Sequence, residues 1–432
     1  MALFIADAGQ FYTREWLRTT AVRAGITLTD DPDVATEFWA TVSDVEELKG
    51  LRALRKVAGD RPIIAGGLEA STGNGLCLAY ADACVCGEGE EFILACGDKG
   101  MDEALRLPCV VHRDNPNAQA TPSTMLSYEH APLVQSAKHV WYCLAARGCP
   151  NKCSFCMTSW GTQHSAAHPA LLRGISDKLR HQRPNDQIMY ITNYSSGLPA
   201  TKRGAQSFMV KDYIAKPAET QGLSLVRLGI EGFTEQRREW FHKPIADADI
   251  YRAIEQAQQL KQTLHLFFIV GWPEANAEWH EFCANCIPAN LVKHPWIWLK
   301  FTYFEPCAFT PMYRYDMAQQ AVFDSDRAFC LARARSRAMY LHSASGPMRP
   351  LWRTVLRRAR WEHADIVPKS QPNMEPDEFI AEMHRRGLGY TISPQPGDEL
   401  PGERLNMPFE KARKKRAIAM GIEQEIAHQA TG

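Results

Sequence analysis

Arg147-Gly148-Cys149-Pro150-Asn151-Lys152-Cys153-Ser154-Phe155-Cys156 is the stretch on which the reading of this chain turns. Its cysteines have the spacing C-x3-C-x2-C. Iron–sulfur clusters are usually held by four cysteines. Three closely spaced thiolates can hold a [4Fe–4S] cluster and leave one iron without a protein ligand, which suggests that a small molecule binds there. Thirteen cysteines in 432 residues also allow the spacing to arise by chance. The plainer readings are a zinc loop or unrelated buried thiols. Structural zinc normally takes four ligands, often as two C-x2-C pairs, and no second pair at zinc spacing follows. Cys283 and Cys286 form a C-x2-C, but at helical spacing inside residues 278–287, and read as core thiols.

An apolar strand expected over residues 138–145 leads directly into this loop. Chemistry carried by a loop at the C-terminal end of a strand is the general rule for parallel (β/α) barrels. Helix and strand signals then alternate. A helix is expected over 170–182. A strand over 187–193 ends in the polar loop Asn193-Tyr194-Ser195-Ser196-Gly197, and a helix follows over 206–216. A strand over 223–230 ends in Gly229-Ile230-Glu231-Gly232-Phe233. Another over 264–271 is followed by Trp272-Pro273-Glu274, and a last one over 295–304 runs into Glu305-Pro306-Cys307-Ala308-Phe309-Thr310-Pro311-Met312.

The cysteine loop and this ordered set of strand ends resemble the radical S-adenosylmethionine (SAM) superfamily across residues 138–312. The resemblance implies a [4Fe–4S] cluster on Cys149, Cys153 and Cys156, with the amino and carboxylate groups of SAM on the open iron. Reduction would cleave SAM to a 5′-deoxyadenosyl radical, with an external electron donor of the flavodoxin or ferredoxin type. Phe155 matches the family's aromatic near the adenine. Asn193 and Ser195 stand where polar groups receive the SAM amino group. Glu231 stands in the family's G-I-E-S strand end, as a candidate contact to SAM or substrate. Gly271 and Pro273 match the I-x-G-x-P-x-E turn that flanks the adenine, and residues 306–312 resemble the family's P-G-T-P-L close. Each has a plainer reading: loop anchoring for Phe155, loop capping for Asn193 and Ser195, helix capping for Glu231. Five strands are convincing where the family barrel has six, and a short sixth would have to hide between Asn193 and Leu223.

Ahead of the barrel, residues 1–110 alternate strands (3–8, 37–42, 62–65, 82–86) with helices (15–25, 45–57), which implies a parallel sheet with crossover helices. The turn Ile63-Ile64-Ala65-Gly66-Gly67 and the run Gly87-Glu88-Gly89-Glu90 resemble the cobalamin-binding-like domain that precedes many radical SAM barrels. The family's D-x-H-x-x-G, whose histidine can ligate cobalt, is missing; no histidine precedes His112. The expectation is a retained fold without bound cobalamin, a scaffold or substrate-entry wall, with the cofactor left open. Residues 111–137 read as a linker. The fold class is therefore α/β: a Rossmann-like parallel sheet domain (1–110), the linker (111–137), a partial (β/α)6 barrel (138–324), and a mostly helical, basic C-terminal region (325–432).

Composition, 45% hydrophobic and 23% charged, is that of an ordinary globular protein. There is no run of eighteen apolar residues, so no membrane span is expected. Cysteine usage reads as reduced and cytoplasmic. Net charge is zero but uneven. Residues 1–100 carry 16 acidic against 9 basic side chains, whereas 327–360 carry nine arginines and no acid. A helix is expected over 325–342. Arg349, Arg353, Arg357 and Arg360 follow, with Trp352 and Trp361 interleaved. Arginine forks suit phosphate and tryptophans can stack on bases. Residues 411–416 add five basic side chains in six. The set reads as a nucleic-acid footprint, against the alternative that these arginines dock on the acidic N-terminal domain.

The function expected is a radical SAM enzyme, of transferase or isomerase type, that modifies a nucleobase in DNA or RNA, one already modified included. A peptide or small-molecule substrate, with or without cobalamin, is the second reading. A non-catalytic iron–sulfur nucleic-acid-binding module is the third, and three cysteines argue against it. Methylthiotransferases rank low, because Cys77, Cys84, Cys86, Cys96 and Cys109 lack that family's wide spacing.

Overall fold

Short β-rich runs closed by glycine turns make up the first sheet. Its strands are β1 (Ala2–Ala6), β2 (Thr27–Leu28), β3 (Glu37–Thr41), β4 (Ile63–Gly66), β5 (Ala83–Val85) and β6 (Val110–His112). The computed structural model describes residues 2–6, 11–71, 75–115, 133–137, 139–161, 164–191, 205–289, 297–323, 339–342, 348–367, 374–398 and 400–401. Strand order is β2-β1-β3-β4-β5-β6, parallel except for β6, which runs antiparallel beside β5. Ile63, Ile64 and Ala65 are all buried. That is expected of a parallel strand covered on both faces. The helix Phe11–Arg23 ends before Gly25, whose φ of 77° is the left-handed geometry glycine supplies after a helix. Helix Leu48–Ala58 follows a one-turn 3-10 segment opened by a capping box between Asp44 and Glu47.

The second half is parallel throughout its main strands. β7 (Val134–Ala137) pairs antiparallel with β8 (Val140–Leu144), so the region read as a linker contributes a strand. β9 (Ala146–Arg147) and β10 (Ser165–Ala166) form a small antiparallel ribbon. β11 (Gln187–Ile191) lies parallel to β8. A further sheet has the order β12 (Ala205–Phe208), β13 (Leu225–Glu231), β14 (Thr263–Val270), β15 (Ile297–Tyr303) and β16 (Met339–His342), all parallel. In β14 the even positions Leu264, Leu266, Phe268 and Val270 are buried and their neighbours half-buried. Helix Asp247–Gln259 covers that layer with Ile250, Ala253, Ile254 and Ala257, at helical spacing. Among the described residues no ladder joins β11 to β12, so the parallel strands form two separate arcs.

Two expectations are corrected. Residues 206–216 are not one helix: they begin as β12 and continue as the helix Val210–Ala215. Ala-Gln-Ser-Phe has no strand-like apolar alternation, and pairing along the edge of β13 decides its conformation. β12 is the sixth parallel strand that the sequence left unplaced. The helix expected over 325–342 is likewise wrong at its end, where β16 extends the sheet beside β15; residues 324–338 lie outside the described set. Among its described residues the C-terminal region is otherwise mainly helical, with Met348–Arg358, Pro376–Arg385 and Gly389–Ile392. One continuous apolar core joins β3 and β4, the cysteine loop's Met157 and Trp160, the barrel-end residues Trp272 and Phe304, and helix Met348–Arg358.

Candidate active site: a three-cysteine loop at the barrel edge

The ribbon β9–β10 clamps both ends of the segment that carries the cysteines. Gly148, at φ 66°, turns the chain into it. The loop is then fastened from inside. The Trp160 indole N–H donates to the Cys153 carbonyl at 2.7 Å, and Lys152 Nζ donates to the Ser159 carbonyl. The Ser154 amide donates to the Phe241 carbonyl at 3.0 Å, and the Ser154 hydroxyl to the Trp240 carbonyl at 3.3 Å. Phe155 packs edge-on against Phe241 with ring centroids 5.1 Å apart, so its observed contact is the loop-anchoring one.

Cys149 and Cys153 are buried, and Cys156 is partly exposed. Asn151 Nδ2 lies 3.4 Å from Cys149 Sγ as a donor. Burial pushes the Cys153 thiol up to about 12; Lys243 opposes this, while Cys156, Glu231 and Cys149 add to it. All three thiols and the Glu231–Lys243 pair therefore share one electrostatic environment. Among the described residues no three His, Cys, Asp or Glu side chains converge as they would on a single metal ion. A cubane distributes three cysteines over three separate irons, so the thiols it needs stand further apart than the ligands of one ion. The donor set, three thiols on a tied loop with one partly open to the outside, fits a [4Fe–4S] cluster.

Glu231 ends β13 in the left-handed region, at φ 69°, where the ladder to β14 shifts register. A bulge of this kind re-aims a side chain. Its carboxylate accepts from Lys243 Nζ at 2.8 Å. Burial disfavours the Lys243 charge, but Glu231, Cys153 and Cys156 outweigh it and hold the ammonium firmly protonated. The glycine two residues earlier is explained by this pair. A Cβ on Gly229 would stand 2.3 Å from Glu231 Oε1 and 2.6 Å from Lys243 Nζ.

Gly271 follows β14 at φ 117°, and a Cβ there would meet the Gln320 side chain at 2.9 Å. Gln320 Nε2 donates to the Phe304 carbonyl at 3.0 Å, but among the described residues its buried Oε1 has no donor and the buried Trp272 indole N–H no acceptor. The glycine is explained by the Gln320 side chain, which fills the space a Cβ on Gly271 would take. Pro273 is exposed at the same turn. Asn193 and Ser195 lie outside the described residues. Tyr303 and Tyr313 have packing roles: the Tyr303 hydroxyl accepts from the Phe323 amide, and the Tyr313 hydroxyl donates to the Pro401 carbonyl.

The described arginines of this region are engaged within the chain. Arg353 bonds both Asp44 oxygens at 2.7 and 2.6 Å, Glu46 at 3.1 Å and Glu305 at 2.8 Å. Arg357 bonds Glu69 at 3.0 Å and Glu305 at 2.5 Å. Arg349 bonds Glu46 at 2.7 Å. Arg360 lies over the Tyr390 ring at 5.0 Å, and Arg358 is buried against the Thr391, Ile392 and Tyr315 carbonyls. This is the docking alternative raised by the charge map. Sequence reasoning missed Arg147. It pairs with Glu88, lies 3.5 Å from Glu90, and stands over Trp16 at 4.6 Å, tying the cysteine loop to the N-terminal domain. Its place two residues before Cys149 was the available signal.

No protein-family model and no curated protein matches the chain. Solved structures do. The radical S-adenosylmethionine methyltransferase TsrM from Kitasatospora setae, with tryptophan substrate and the SAM analogue aza-SAM, is 14% identical over 74% of this chain and 76% of that one, with a TM-score of 0.55. TsrM with cobalamin and a [4Fe–4S] cluster is 13% identical over 89% of this chain and 99% of that one, with a TM-score of 0.53. The cobalamin-dependent S-adenosylmethionine radical enzyme OxsB, with aqua-cobalamin and SAM, is 11% identical, with a TM-score of 0.51 over 65% of this chain. The chain spans about half of OxsB, 51%. At these identities the likeness is one of fold: the chain has the fold of radical SAM enzymes with a cobalamin-binding-like domain. No helix among the described residues is long and apolar enough to cross a membrane.

Proposed function

We propose that this chain is a radical SAM enzyme that modifies an organic substrate at the carboxyl edge of its barrel. The observation that carries the reading is the tied loop of Cys149, Cys153 and Cys156, set beside the Glu231–Lys243 pair. When bound, the cluster and SAM supply a one-electron cleavage that yields a 5′-deoxyadenosyl radical, given an electron from a flavodoxin- or ferredoxin-type donor. The chain's own residues bind, orient and exclude water. The three thiols hold the cluster, and the Lys243 ammonium offsets the thiolates' charge. The turn at Gly271 and Pro273, with the Trp272 indole N–H, would border the adenine of a bound SAM. The apolar core around Trp240, Trp272 and Phe304 keeps water from the reactive centre.

Methyl transfer is the activity named for TsrM, and transferase chemistry is the class we assign here. For the substrate, the site favours a compact organic molecule over a duplex, because Arg349, Arg353 and Arg357 are bound to carboxylates. A flipped nucleobase is the second reading; it rests on residues 411–416, which lie outside the described set. Anaerobically reconstituted protein with dithionite and SAM is expected to yield 5′-deoxyadenosine, and its complete absence overturns the radical reading. Salt-dependent retention of DNA or RNA would move the nucleobase ahead.

A further inference from the structure

A doubly wound sheet takes its ligand outside the carboxyl ends of its strands, where the strand order reverses. In the order β2-β1-β3-β4-β5 that point lies between β1 and β3. TsrM and OxsB are solved with cobalamin, and the corresponding edge of this chain can be tested for fit.

It does not fit. Asp44, three residues past β3, is held by both terminal nitrogens of Arg353. Glu69, three past β4, is 1% exposed and held by Arg357. The loop amides that could cradle a phosphate are used internally. Val42 N–H donates to the Gly66 carbonyl at 2.7 Å, Ser43 N–H to Glu47 at 2.6 Å, Glu69 N–H to the Val42 carbonyl at 2.9 Å, and Gly87 N–H to Ser71 Oγ at 3.0 Å. Gly67 serves a backbone contact, since a Cβ there would lie 3.0 Å from Val42. Asp44, Glu46 and Glu69 are each engaged by an arginine of helix Met348–Arg358, and Glu88 pairs with Arg147, so ion pairs within the chain fill the edge. Helix Met348–Arg358 buries Leu351, Trp352, Val355 and Leu356 in the same core as Phe38, Ala40 and Ile63, so apolar packing closes the edge beneath the ion pairs.

We propose that the N-terminal domain takes no corrinoid and that its carboxyl edge is closed by the chain's own helix Met348–Arg358, clamped through Arg353 and Arg357. The clamp forms an ionic wall of the active site. Glu305, just past β15, binds both arginines. In the segment that follows Glu305, the Met312 amide donates to the Ser154 carbonyl at 3.4 Å, which places the wall beside the cysteine loop.

The test uses the full chain, reconstituted anaerobically, incubated with excess hydroxocobalamin, desalted, and assayed for cobalt and corrinoid absorption. Cobalt at the level of a corrinoid-free control is expected; stoichiometric cobalt overturns the proposal. A second arm measures urea unfolding of Asp44→Asn, Arg353→Lys and the double variant. The double variant is expected to lose far less than the sum of the single losses, and simple additivity overturns the clamp. Cobalt exclusion supports the proposal whether or not the protein cleaves SAM, so this inference and the radical reading fail separately.

Discussion

The carboxyl edges of the two sheets have opposite designs. At the barrel edge, backbone and side chains are held ready for something absent from the chain itself: three thiols, a residue forced to positive φ at Glu231, and polar atoms beside Gly271 that have no partner among the described residues. At the N-terminal edge Asp44, Glu46 and Glu69 are bound by arginines of the same chain, and the loop amides named above have partners in it. One parallel-sheet edge is kept for chemistry, and the other is converted into a wall for it. Topology alone predicts a ligand at both; only the side chains tell them apart.

The largest effect should come from the open edge. Cys149→Ser, Cys153→Ser or Cys156→Ser is expected to abolish cluster binding and reduce 5′-deoxyadenosine to background, read by iron content and product chromatography. A variant retaining full iron would remove that cysteine from the ligand set. Next comes the closed edge. Arg357→Met leaves Glu69 and Glu305 without a shared buried cation and should cost about 3–5 kcal/mol in urea unfolding. An unchanged midpoint would mean that the wall is not clamped.

Gly229→Ala forces a methyl into the Glu231–Lys243 pair and should cost about 1–3 kcal/mol. SAM cleavage should fall with it, whereas Gly174→Ala, with nothing within 4 Å, should do neither. The half-exposed Arg349 should matter least: Arg349→Ala is expected to cost about 0.2–1 kcal/mol, diminishing with salt.

Acid supplies a further handle on the wall. Burial works to raise the Asp44 and Glu46 carboxyls, but bonds from Arg353 and Arg349 overcome it and hold both below the ordinary range. A depressed folded pKa gives stability that is present above the unfolded value and lost as pH falls through the folded one. Glu69 acts in the opposite sense, because burial raises it despite Arg357. The wall should therefore weaken below about pH 4 through Asp44 and Glu46. Arg353→Met should flatten that acid limb of the unfolding midpoint, and an unaltered limb would count against the pairing.

Much of the barrel was legible because its signals are local. Three cysteines within eight residues mark a candidate metal-binding loop without any fold, and the apolar run over 264–270 marks a strand. The edge strands β12 and β16 were not legible. Ala-Gln-Ser-Phe and Met-Tyr-Leu-His carry little strand signal of their own, and each becomes a strand by pairing with a neighbour already in place. The arginine row carried a charge pattern that fits a phosphate surface and an internal clamp equally well.

The sequence by itself supplied the candidate cysteine loop, the parallel α/β alternation and the charge imbalance between the two ends. These depend on residue type and short spacing, which survive without a fold. Only the tertiary structure decided what the arginines do. Arg353 meets Asp44 across 309 residues and Arg357 meets Glu69 across 288, and a guanidinium is committed to a carboxylate or left for a phosphate only when folding has chosen which of them it faces.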